Sequence, residues 1–166
     1  SDMVSEDEFK NGADEVKALS LFLKNPHLPG ESVSLGSAIA RFKQIVNPSA
    51  QDVAELRDVI DRVRGMLATV RGMKGPLMEM MAGLDNAGVY DKGASPVPGL
   101  EALGKDRAEV WNKVASLPSD VANDLSEYLA ELEKMAMEFD KNLDHRKSEL
   151  GRIEKNANIL ESQFII

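Results

Sequence analysis

Two histidines, 28 acids and no cysteine are the material from which this 166-residue chain could build a reactive site. His145 shares a helical stripe with Glu138 and Glu149, at offsets that suggest a metal-ligand set. That stripe lies on the far side of the helix from Leu143 and Leu150, and only the His145–Glu149 pair falls within one turn. A solvated face with an i,i+4 pair accounts for it, and no metal is expected. His27 stands in a loop beside two prolines. Inward-facing di-iron sites in bundles need Glu three residues before His, whereas Lys24 and Asn142 hold those places. No acid sits in an apolar segment that would raise its pKa for acid–base work. Phosphate-loop, dinucleotide, nucleophile-elbow and zinc-helix motifs are all missing from the sequence. The expectation is a non-enzyme without cofactors.

Charge narrows the partners. The formal net charge is −8 with pI near 4.8, which disfavours nucleic acid, because phosphate contacts need a positive field. Without cysteine there is no disulfide, thiolate metal site or thiol nucleophile. Such a chain suits a reducing bacterial cytoplasm or leaderless export. Apolar runs fall well short of the ~20 residues that span a bilayer, and no signal-peptide pattern opens the chain.

One Trp, two Tyr and five Phe stand against eight Met and many Leu, Val and Ala, a balance that favours helices packed through aliphatic side chains. The spacing predicts an all-α, elongated bundle forming one domain over residues 1–166. Phe9, Val16, Leu19, Phe22 and Leu23 mark a helix at about 6–24, stopped by Asn25-Pro26. A short helix at about 37–46 follows a loop rich in Pro, Gly and Ser. The third, at about 50–84, starts from a Ser49–Asp52 capping box and is expected to kink near 73–76 at Gly75-Pro76. Residues 85–99 read as a long loop. A fourth helix at about 100–117 is expected to end at Pro118, with Ser119 capping the last.

That last helix, about 119–164, is the dominant element. From Val121 to Phe164 its apolar residues recur in steps of 3 and 4, a coiled-coil-like seam with one stutter at Phe139–Leu143. At ~1.5 Å per residue it extends about 68 Å, more than its shorter neighbours cover. The seam residues Arg146, Leu150, Ile153, Leu160 and Phe164 are therefore candidates for partner binding.

A second candidate surface lies on the third helix. Gly65, Ala68, Gly72 and Gly75 form a stripe opposite its apolar face, edged by Arg64 and Arg71. Each exposed mid-helix glycine costs roughly 1 kcal/mol relative to alanine, so the stripe reads as a groove for close approach of another helix. Arg62, Arg64, Arg71 and Lys74 make this stretch basic, and the acidic first half of the last helix is the expected in-chain match. Met73, Met78, Met80 and Met81 cluster downstream, where methionine commonly fills a core.

The sequence points to a protein-interaction or self-assembly module, with a homo-oligomer or a protein partner. Its composition fits a bacterial secretion-associated protein (effector, translocator, tip subunit or chaperone), an analogy that no motif carries. A membrane-active protein using residues 73–90 is the lesser alternative.

Overall fold

Four helices make up most of the described residues: α1 over Glu6–Lys24, α2 over Leu35–Lys43, α3 over Ala50–Asn86 and α4 over Arg107–Phe164. The computed structural model describes residues 6–86 and 100–164. Among them there is no strand, and a single antiparallel bridge joins His27 to Ser34. The chain is an all-α bundle with a long C-terminal helix.

The two helices expected at 100–117 and 119–164 are one. α4 has 58 residues, about 87 Å at ~1.5 Å per residue, and runs through Pro118 without stopping. Proline inside a helix loses a hydrogen bond and crowds the preceding turn, at roughly 3 kcal/mol. Here the apolar residues stay in phase across it. Val110, Val114, Leu117, Val121 and Leu125 are all buried, and that continuous burial outweighs the local penalty. Ser119 is therefore mid-helix and caps nothing.

The start of α4 also differs from expectation. Leu100 and Leu103 are buried, but in a turn closed by the Leu103 amide donating to the Leu100 carbonyl at 3.0 Å. The helix begins where Asp106 accepts from the Glu109 amide at 3.0 Å, while the Glu109 carboxylate accepts from the Lys105 amide at 2.8 Å. These two bonds satisfy two amides that would otherwise be unpaired. The Asp106–Glu109 spacing carries their signature in sequence.

α2 begins two residues earlier than expected because Ser34 caps it, accepting from the Ser37 amide at 3.1 Å. Ser49 and Asp52 form the anticipated reciprocal box at the start of α3. Like α4, α3 passes through its proline: Leu77, Met80, Met81 and Leu84 beyond Pro76 are buried in register with Leu67 and Val70 before it. It continues to Asn86, and the rest of the expected 85–99 loop lies outside the described residues.

α3 and α4 form an antiparallel hairpin. Arg57 meets Asp140, Arg64 meets Glu133, and Asp85 meets Arg107, so the partner number falls as the α3 number rises. α1 and α2 run one after the other along this hairpin as a broken third arm. Between them Leu28 is buried, Gly30 supplies a positive φ of 78°, and Arg62 holds the loop through Glu31 at 2.8 Å and the Pro29 carbonyl at 3.3 Å. Beside α2 the core closes with Phe42 against Phe139, ring centroids 6.4 Å apart and edge to face.

α1 lies close enough to α3 that a Cβ at Gly12 would overlap the Met80 thioether. Both residues are buried. Gly12→Val is expected to destabilise the fold by about 1–3 kcal/mol through overpacking, read by chemical denaturation. An unchanged midpoint would show that this crossing is loose.

The far end of the hairpin is clipped by Arg107, which donates to Asp85 at 2.7 Å and stacks over Trp111 at 4.6 Å. The hydrogen bond from Arg107 holds the Asp85 carboxyl below its ordinary value, against a smaller opposing effect of burial. A depressed folded-state pKa contributes stability that is present above the unfolded value and is lost as pH falls through the folded one. Asp85→Asn is therefore expected to lower stability near neutrality and to flatten its loss in that acid range, as followed by thermal melts against pH.

Candidate functional site

The last stretch of α4 stands clear of the bundle. Phe139 is the final buried seam residue and Leu143 is half-buried. Every residue from 150 to 164 is exposed. Leu150 is 59% exposed, Ile153 57%, Leu160 56% and Phe164 86%. These residues continue the rhythm by which α4 buries itself against α3. The seam therefore runs on past its in-chain partner for eighteen residues, roughly 27 Å.

Arg146 marks where cover ends. It reaches the Pro48 carbonyl in the α2–α3 turn and donates to Asn142 at 2.9 Å. Asn142 in turn donates to the Val46 carbonyl at 3.4 Å. By its place in the seam Arg146 is expected among the partner-binding residues. The structure instead spends its guanidinium on the chain itself, because the turn offers a carbonyl at that level of the seam. Leu150, Ile153, Leu160 and Phe164 remain on the uncovered side.

The glycine stripe of α3 has no in-chain occupant. A Cβ added at Gly65, Gly72 or Gly75 would meet nothing within 4 Å, and Ala68 is exposed as well. The expected docking of α4 into this groove is thus corrected, since α4 packs on the opposite, apolar face. The charge match does exist, along the edge. Arg57 makes a double hydrogen bond to Asp140 at 3.0 and 2.8 Å, and Arg64 reaches Glu133 at 2.8 Å. The same seven-residue register sets Arg71 opposite Ser126. That explains why neither Arg71 nor its neighbour Lys74 has an ion pair among the described residues.

Sequence reasoning missed a slot between α1 and α3. It encloses about 620 Å³ and is lined mainly by Leu19, Leu21, Phe22, Met66, Val70 and Met73, with Gly65 and His27 also contributing. The signal was present in α1, whose apolar arc from Ala18 to Leu23 is wider than one packing face needs. Leu21 stays 66% exposed at its edge. His27 donates from Nδ1 to the Leu28 carbonyl at 3.0 Å. No carboxylate or other charged group joins it in the lining, so the slot offers apolar contact without acid–base chemistry. Among the described residues no group of His, Asp and Glu is arranged to hold a metal. His145 is exposed on α4.

Because the stripe faces open space, Gly65→Ala and Gly72→Ala are each expected to stabilise the fold by up to about 1 kcal/mol, the helix-propensity difference. Denaturant midpoints of the two variants measure it. A loss of stability would mean that something seats on these glycines.

No family model matches this chain, and no curated protein or solved structure does either.

Proposed function

We propose that the chain is a non-catalytic helical interaction module and that residues 147–164 of α4 are its working surface. The observation that carries this reading is the exposed seam of Leu150, Ile153, Leu160 and Phe164, in phase with the seam α4 buries against α3. Burying a large aliphatic or aromatic side chain contributes about 1.5–3 kcal/mol. Four of them along one stripe form a surface that favours a partner helix over water. The bundle supplies a rigid base, since Arg146 anchors the point from which the helix departs.

Absence of cysteine and the acidic composition agree with a bacterial secretion-associated role, whether effector, translocator, tip subunit or chaperone. The membrane-active alternative draws less support. Met80 and Met81 are buried and Met73 and Met78 half-buried, which leaves little of that cluster for lipid. Among the described residues no helix is long and apolar enough to cross a membrane.

The test is a double substitution, Ile153→Asp with Leu160→Asp. Both side chains are exposed, so the melting temperature of the bundle is expected to stay within the small range of surface changes. In cells that naturally make the protein, the unaltered chain is expected to sediment in an assembly larger than a monomer and the variant as a monomer. An unaltered chain that sediments as a monomer there would overturn the reading.

A further inference from the structure

We infer that the uncovered stretch of α4 pairs with the same stretch of a second copy, antiparallel. This rests on the reading of residues 147–164 as the working surface and adds the identity of the partner and its polarity.

The argument begins from register. With Leu150, Ala157 and Phe164 at a and Arg146, Ile153 and Leu160 at d, the flanking e positions are Lys147, Glu154 and Glu161. The g positions are Glu149, Asn156 and Gln163. Flanking charges set partner orientation in coiled coils. In a parallel pair each g faces the next e of the other helix. Glu149 would then face Glu154 twice, while Lys147 and Glu161 would face asparagines. No attraction across the pair offsets those two like-charge contacts, which only the intrahelical Arg152 beside Glu149 tempers.

An antiparallel pair reverses the balance. Leu150 then packs against Leu160 of the second copy and Ile153 against Ala157. Position e now faces e, so Lys147 meets Glu161 at both ends of the seam. Glu154 opposes its own copy once, at the two-fold axis. Neither Lys147 nor Glu161 has an in-chain ion pair among the described residues, so both charges are available. Glu149 is already neutralised by Arg152 at 2.8 Å.

A further observation supports this choice. The antiparallel arrangement also sets the two bundles at opposite ends of a helix pair roughly 27 Å long, beyond the ~8 Å Debye length. A parallel pair would place two bodies of charge −8 side by side.

The experiment uses the purified full chain, with sedimentation equilibrium across a wide concentration range at low and at physiological salt. The unaltered chain is expected to dimerise at physiological salt, where repulsion between the two bundles is screened. Lys147→Glu or Glu161→Lys alone should weaken the dimer about tenfold, as two attractive contacts become repulsive. The two changes together should restore it. In a parallel dimer, neither single change would weaken association much and the double change would rescue nothing.

Orientation has an independent readout, helped by the cysteine-free background. Ile153→Cys and Ala157→Cys chains, when mixed, are expected to cross-link with each other faster than either does with itself. Faster self-cross-linking of either variant would overturn the antiparallel order. A purified chain that stays monomeric throughout would remove the second copy as partner. If the chain from its native cells still sediments as a larger assembly, the interaction reading stands without it.

Discussion

Phase is the constraint to which the rest of this molecule yields. α4 keeps a single apolar stripe turned toward α3 from Val110 to Phe139. Any residue that disturbed its rotation would expose several buried side chains at once. Two prolines test that constraint, Pro118 in α4 and Pro76 in α3. Each removes one backbone hydrogen bond, a local loss of roughly 3 kcal/mol. Breaking the helix at either place would uncover a run of Leu, Val and Met worth several times as much. The hairpin therefore absorbs both prolines, and the smaller parts arrange themselves around it.

Electrostatics follows the same geometry. Arg57 and Arg64 find Asp140 and Glu133 because the heptad spacing on α3 matches an antiparallel heptad on α4. These pairs are half exposed and individually weak; what they contribute is register. Arg71 shows the converse, as the third rung of the same ladder set opposite a serine. α1 and α2 are held by different means. At Gly12 a missing side chain allows close approach to Met80, and Arg62 ties the intervening loop down.

The helical class and the dominance of the C-terminal helix could be read from the sequence because apolar spacing reports burial directly. Helix ends were harder where two signals conflicted. At Pro118 the local stop signal opposed a stripe that continued in phase, and burial decided the outcome. At residues 100–106 two leucines at helical spacing belong to a turn, and the Asp106–Glu109 cap was the truer mark. The exposed seam could be found in advance because its length exceeded any in-chain cover. The slot beneath α1 shows in the sequence only as an apolar arc wider than one packing face, since its size depends on how far apart two helices sit, a distance that no single stripe encodes. The in-chain contact of Arg146 is hidden for a related reason: its acceptor, the Pro48 carbonyl, is a backbone group with no trace in side-chain patterning.

The grip of Arg146 on the α2–α3 turn has a mechanical meaning. Residues 147–164 form an arm roughly 27 Å long, and Arg146 sits at its fulcrum. A load applied near Phe164 arrives there as a torque, opposed by one guanidinium on one carbonyl and its neighbour Asn142. Tension on the arm is thereby delivered to the turn that joins α2 to α3, away from the buried hairpin seam. Whatever seats on the arm pulls first on that turn.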